Sequence, residues 1–260
     1  MFNAFNAFND FNDFNDFNDF NDFNDSHFSQ PPMKPMKPTY YFIKRAADII
    51  LSGMALLIFS PVLIPLMIIL RLTGEGHIFY TQKRVGFRNG EFELIKFATM
   101  LKNSPNIGTG TITTKNDPRV LPMGNLLRKT KINELPQLIN IFRGDMSIVG
   151  PRPQTMECFK MFPSDRRDRI YLSKPGLTGI GSIVFRNEEE IIGKSSKSYD
   201  ECYRDDIMPY KADLELWYLK NKSLWVDAVI IVITALEILL PDTHIYKKIF
   251  VDLPLGKHCQ

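Results

Sequence analysis

The sequence predicts an α+β, mainly helical fold: a membrane re-entrant helix-break-helix, interfacial amphipathic helices and one small β-hairpin. Three observations carry that expectation. Residues 49–70 form an uncharged run of 22 residues with Ser60-Pro61 at its centre. Residues 79–97 alternate short apolar runs with turn residues around Asn89-Gly90. Most of the remainder is apolar at helical spacing, interrupted by Pro and Gly.

The 260 residues suffice for one domain plus a tail. Residues 1–38 are read as that tail and its linker. Two Phe-Asn-Ala triplets and six Phe-Asn-Asp triplets are followed by a Pro/Met/Lys stretch. A period of three matches neither a helix face nor a strand face, and the Asp residues repel one another, so disorder is expected. A sticky aromatic tail that binds a partner is the alternative. Residues 1–32 hold six of the 29 acidic residues and no Lys or Arg, so the rest of the chain carries 32 basic against 23 acidic residues. Such a body suits an anionic partner: phosphate esters or acidic headgroups. No basic stripe interleaved with aromatics and no nucleic-acid motif is present, so no nucleic-acid partner is expected. Cys158, Cys202 and Cys259 are far apart, without zinc-ligand spacing. The four His residues are equally scattered and suggest no catalytic set.

The membrane segment is placed at 39–75. An uncharged helix of this length can cross a hydrocarbon core of about 30 Å. Two features oppose a straight span. Pro61 and Pro65 each remove a helical hydrogen bond, so a sharp bend is expected. Both flanks are basic, with Lys34, Lys37, Lys44 and Arg45 before and Arg71, Lys83, Arg84 and Arg88 after, which places both ends on the cytoplasmic side. A helix that enters, breaks at Ser60-Pro61 and returns satisfies both, with the Ser60 hydroxyl a candidate partner for the freed backbone. A kinked transmembrane helix is the alternative.

Residues 76–250 are expected to form the body and 251–260 a terminal tail. Asn89-Gly90 is a strong hairpin turn signal. Residues 102–114 read as a surface loop, in which Gly108-Thr109-Gly110 lacks the context of a dinucleotide fingerprint. Asp117-Pro118-Arg119 reads as a turn before a helix leading to Arg128. Residues 154–172 are helical in pattern, "KPGLTG" (174–179) is a loop, and Arg186-Asn187 opens a short acidic segment. Residues 199–221 form an amphipathic helix interrupted near Pro209. Residues 224–240 are apolar but contain Asp227 and Glu237. Two acids at bilayer depth would cost about 5–7 kcal/mol, so this helix is expected in the interface or packed on the body, with Pro241 ending it.

The densest chemistry lies in residues 128–153, "RKTKINELPQLINIFRGDMSIVGPRP". Asn133 is a suitable helix N-cap, and Glu134 follows in the first turn, where the helix dipole favours a carboxylate. Leu135, Leu138, Ile139 and Phe142 recur at helical spacing up to a stop at Gly144. Arg128, Lys129 and Lys131 stand just before the carboxylate. Cations around a carboxylate suit a phosphate or metal site; a plain cap with a first-turn acid is the alternative.

This run, with Lys44-Arg45, Ser60-Pro61, Asp117-Pro118-Arg119, "KPGLTG" and "DLELWYLKNKSLWVD" (213–227), resembles the bacterial sugar transferases, the monotopic phosphoglycosyl transferases. The resemblance covers residues 44–240 and is to the small members. It implies transfer of sugar-1-phosphate from a UDP-sugar to polyprenyl (undecaprenyl) phosphate, with release of UMP, as the first step of surface polysaccharide, lipopolysaccharide or glycoprotein glycan synthesis. It implies Mg²⁺, a site at the cytoplasmic face of a bacterial inner membrane, and an Asp-Glu dyad at Asn133-Glu134 whose Asp attacks phosphorus. By resemblance Arg128 belongs to the catalytic set with Glu134 and Asn133. Glu134 is the metal ligand, and Arg152, Arg186 and Arg119 bind substrate. Self-association is left open.

Two positions depart from the pattern: Asn133 replaces the family's Asp, and Ala98 its more usual Arg. Three readings follow. Glu134 or another carboxylate such as Asp145 attacks; or displacement is direct, with Glu134 as metal ligand or base; or the site is silent and the chain is a membrane-interface partner or scaffold.

Overall fold

A computed structural model of the protein describes residues 38–104, 117–193, 195–240 and 243–256. The repeat tail, Gly108-Thr109-Gly110, Pro241 and Cys259 lie outside the described residues. The first element, α1 (Pro38–Leu72), is one continuous helix of 35 residues. The expected break at Ser60-Pro61 is therefore not a break in helical structure. Pro61 lacks the N–H that would bond the carbonyl of Leu57. The Ser60 hydroxyl donates to that carbonyl instead, at 2.7 Å, so the freed acceptor is satisfied locally.

Helix α1 lies against the body along its length. Lys44 donates to Asp227 at 2.8 Å and to the Val149 carbonyl at 3.0 Å. Arg45 donates to the carbonyls of Ile141 and Phe142, and Asp48 accepts the Ile148 N–H at 2.9 Å. Farther along, Gly53 lies beside the Phe142 ring. Toward the other end Leu63, Leu66 and Leu70 pack with Phe97 and Leu127. The opposite face is apolar and exposed at Ile50, Leu57, Ile58, Val62, Ile64 and Ile68.

Strands β1 (Phe79–Val85) and β2 (Glu91–Phe97) form the expected hairpin, with Val85 opposite Glu91 and Phe79 opposite Phe97. Its turn is longer than the sequence predicts. A 3₁₀ turn at Phe87–Asn89 joins the strands, and the left-handed residues are Arg88 and Asn89. Then come α2 (Gly124–Lys129), a 3₁₀ turn at Ile132–Glu134 and α3 (Gln137–Arg143), capped by left-handed Gly144. Strand β3 (Ser147–Val149) pairs in parallel with β4 (Gly176–Thr178). The expected "KPGLTG" loop is thus half strand. Side chains at Gly150, Gly176 and Gly179 would collide with the facing backbone, and their absence permits this approach.

Between these strands lie α4 (Met156–Lys160) and α5 (Ser164–Ile170). After β4 come α6 (Ile180–Val184), α7 (Glu188–Gly193) and α8 (Tyr199–Cys202), opened by a Ser198–Glu201 capping box. A π-helical turn at Tyr203–Ile207 leads into α9 (Met208–Asn221), with Pro209 at its start. This is the interruption expected near Pro209, where the missing N–H is tolerated. Helix α10 (Leu224–Leu239) packs on the body, and its two acids are inside the protein. Asp227 takes Lys44 and the hydroxyls of Tyr40 and Tyr218, and Glu237 accepts from Thr243. Trp225, Val232 and Leu239 face outward. Helix α11 (Tyr246–Ile249) closes the largest core cluster around Trp217, Ile230 and Ile233.

Breaking a buried ion pair leaves an uncompensated charge, so Asp227→Ala is expected to lower stability by about 3–5 kcal/mol. The check is the thermal unfolding midpoint in detergent. An unchanged midpoint would show that the Lys44–Asp227 pair does not hold α1 to the body.

Candidate active site

The site is built on the 3₁₀ turn Ile132–Glu134. Lys131 enters it in a left-handed conformation, φ 60°, and the Glu134 N–H donates to the Lys131 carbonyl at 3.0 Å. Ile132 and Leu135 anchor the turn in the core beneath it. The expected helix start at Asn133 is corrected here. Helix α3 begins after Pro136, with no side-chain cap, and Asn133 lies inside the preceding turn. The reason is Pro136 itself, whose fixed φ starts the helix three residues later. Released from capping, the Asn133 amide oxygen is buried with no hydrogen-bond partner.

Arg152 reaches Glu134 from the loop Gly150–Pro153, its guanidinium donating at 3.3 Å. That loop is held from both sides. The Gly176 N–H donates to the Pro151 carbonyl, and the fully buried Tyr171 donates to the Arg152 carbonyl while accepting from Gln154 N–H. Lys96, from β2, is a further cation within electrostatic reach of Glu134. Burial pushes its ammonium down to about 8; Glu134 opposes this, while Arg152, Arg84 and Arg128 add to it. For Glu134, burial raises the carboxyl, but Arg152, Lys96 and Lys131 outweigh it and hold the pKa below the ordinary value. Glu134 is therefore ionised at neutral pH, and it cannot serve as an acid.

The structure brings Lys131, Glu134, Arg152 and Arg186 to one cavity of about 1140 Å³. Arg128 does not line it; it lies within electrostatic reach of Lys96 and donates to Met100 Sδ at 3.0 Å. Arg119 is placed elsewhere. It is buried, bonded to the Asp117 carboxylate and the Ser104 carbonyl, and does not line the cavity. Its guanidinium braces the turn that the sequence predicts at Asp117-Pro118-Arg119. Asp145 accepts from Asn140 beyond the far end of α3, away from the Glu134 turn. Ala98 is buried beside the hairpin.

Lys96 and Arg84 were not among the residues expected from sequence, yet a signal existed. In the hairpin register Arg84 faces Phe92, and Lys96 faces Tyr80. Both cations thus share a strand face with Phe92 and Leu94, which pack in the core. A basic residue on a core face needs an anion nearby.

A divalent cation that accompanies a diphosphate takes one or two protein oxygens and the rest from substrate and water. Glu134 and the unpartnered Asn133 oxygen are neighbours in one turn and match that number. Among the described residues no group of three or more His, Cys, Asp or Glu side chains forms a cage.

Residues 39–241 match the family model described as bacterial sugar transferase. The chain is 33% identical over 204 residues to the Aeromonas hydrophila UDP-N-acetylgalactosamine-undecaprenyl-phosphate N-acetylgalactosaminephosphotransferase, covering 77% of this chain and 44% of that protein. It is 34% identical over 215 residues to the Salmonella typhimurium undecaprenyl-phosphate galactose phosphotransferase, covering 77% and 41%. It is 33% identical over 203 residues to exopolysaccharide production protein ExoY of Rhizobium meliloti, covering 72% and 81%. The chain thus spans less than half the length of the first two and most of the third.

With Lys96 titrating near 8, anion affinity at the site should fall as pH rises through that value. Sulfate, whose charge is constant from pH 6.5 to 9.5, is the probe. Lys96→Arg should hold its sulfate affinity across the range, because a guanidinium does not deprotonate there. Parallel pH curves for wild type and Lys96→Arg would show that Lys96 does not contribute.

Proposed function

The chain belongs to the bacterial sugar transferase family, and from that premise we propose that it moves sugar-1-phosphate from a UDP-sugar to polyprenyl phosphate, releasing UMP. The observation that carries this is the ionised Glu134 held against Lys96, Lys131 and Arg152 on the wall of a cavity shared with Arg186. Phosphoryl transfer needs its charge met by fixed cations, and these side chains are fixed by the hairpin, the 3₁₀ turn and the Gly150–Pro153 loop.

Lys96, Lys131 and Arg152 bind the diphosphate and orient its β-phosphorus. Arg186 meets substrate at the cavity mouth. In the covalent route a Glu134 oxygen bonds the β-phosphorus, and the bond from that phosphorus to the bridging oxygen breaks with loss of UMP. An oxygen of the polyprenyl phosphate then attacks the same phosphorus and returns Glu134 to a free carboxylate. In the direct route the acceptor oxygen attacks at once, and Glu134 only positions the diphosphate. Mg²⁺, when bound at Glu134 and the Asn133 amide oxygen, would supply further positive charge to the transferring group.

The membrane reading follows from α1. Residues near both of its ends touch the same body, and its outward face is a continuous apolar surface. A helix docked lengthwise cannot also run straight through a bilayer. We assign α1 to a monotopic placement with its outward apolar face in the bilayer and the body at the cytoplasmic face of the inner membrane; a re-entrant path would need a sharp bend at Ser60-Pro61 within this continuous helix. Lys44 and Arg45 are used internally and so are not available to headgroups.

Asn133 at the family's Asp position favours a second reading, a catalytically silent membrane-interface partner or scaffold. UMP release by purified protein in nanodiscs, with Mg²⁺, polyprenyl phosphate and a panel of UDP-sugars, separates the two. The transferase reading expects acceptor-dependent release that falls by on the order of 10²-fold or more in Glu134→Gln. No release from wild type, with release appearing in Asn133→Asp, would establish the silent reading.

A further inference from the structure

The cavity has a second polar wall besides the one that carries Glu134. Helices α6 and α9 meet there at Gly181, Ser182 and Glu215. Glu215 is only 4% exposed. Its carboxyl accepts the backbone N–H of Arg152, yet Oε2 is buried with no hydrogen-bond partner. Ser182 Oγ is buried and unpartnered as well. Native interiors pair nearly all such atoms, so two unpaired ones on one cavity wall mark a place where a ligand completes the bonding.

The surroundings sharpen this. A side chain at Gly181 would meet Glu215 Oε1, so the glycine is what lets the carboxyl reach the wall. Thr178 and Thr234 also line the cavity, but their hydroxyls bond each other at 2.7 Å. Leu177, Ile231 and Ile238 make the adjoining wall apolar. Arg152 joins the two walls, its backbone N–H on Glu215 and its guanidinium on Glu134. The polar pair therefore begins one residue's length from the phosphate-binding cluster. Burial pushes the Glu215 carboxyl up to about 8, with the Arg152 N–H and Lys211 opposing. A carboxyl that keeps its proton near neutral pH can both donate to and accept from a hydroxyl.

We propose that Ser182 and Glu215 bind hydroxyls of the donor's sugar ring while Lys96, Lys131 and Arg152 hold its diphosphate. This rests on the transferase reading and assigns the discrimination between sugars to these two side chains. A site built to hydrogen-bond a hydroxyl discriminates against analogues that lack or misplace it, because its own buried groups are then left unpaired.

The test is equilibrium binding in nanodiscs of UDP and of UDP-glucose, UDP-galactose, UDP-N-acetylglucosamine and UDP-N-acetylgalactosamine, to wild type, Ser182→Ala and Glu215→Gln. Wild type should bind one or more UDP-sugars more tightly than UDP. Each substitution should erode that preference by roughly 3–10-fold while leaving UDP affinity within about twofold. A preference unchanged in both variants would overturn the inference. So would UDP and UDP-sugar affinities falling together, which would make these residues scaffold, or a wild type that binds no UDP-sugar better than UDP. A wild type that binds neither UDP nor any UDP-sugar would remove the transferase reading and this inference together.

Discussion

The buried contact between Lys44 and Asp227 is the constraint on which the rest of the structure depends. Three elements meet at that one carboxylate: α1 through Tyr40 and Lys44, α9 through Tyr218, and α10, which carries Asp227 near its start. Lys44 and Tyr218 also reach the Val149 carbonyl at the end of β3. Taking two charges out of water is costly, and such a pair adds little net stability. Its effect is positional. With Lys44 held, Arg45 falls on the carbonyls that end α3, and Asp48, one turn on, falls on the Ile148 N–H. The register of an otherwise uniform apolar helix is thereby set by three polar residues at its start. Apolar packing alone would let such a helix slide, because one Leu or Ile replaces another at little cost.

Much of this was legible in the sequence, for identifiable reasons. The hairpin followed from alternation and turn residues. An interruption near Pro209 followed from that proline, though not its π-helical form, and the placement of α10 on the body followed from the cost of burying Asp227 and Glu237 in lipid. What was not legible depended on contacts distant in sequence. The three-residue strand at "KPGLTG" is too short to show a period, and it exists because Gly150 and Gly176 let two backbones meet. The continuity of α1 through Pro61 depends on a single hydroxyl, that of Ser60. Its docking along the body depends on partners roughly a hundred residues away and more, which no window on the sequence contains.

At the site, Glu134, Lys131 and Arg152 could be chosen from one run of sequence because they lie within about twenty residues of each other. Lys96 and Arg84 could not be placed without the hairpin register, and Glu215 reads locally as one more charge on an amphipathic helix. Asn133 illustrates the limit of local rules. Its chemistry suits a cap, but Pro136 starts the helix later and leaves the amide oxygen without a partner. The unsatisfied atom became visible only once the turn was built.

The replacement of a carboxylate by Asn133 bears directly on how this pocket handles charge. Arg84, Arg128 and Arg152 lie within electrostatic reach of Lys96, and Arg152, Lys96 and Lys131 within reach of Glu134. A second carboxylate in the same turn would repel Glu134 and offset part of the attraction for an incoming diphosphate. The amide removes that repulsion while keeping an oxygen that can bind a cation. The pocket is then more positive, and Glu134 is held more firmly in its ionised form. Glu134 keeps the anchoring contact from Arg152 and sits in a turn that its apolar residues fix in place.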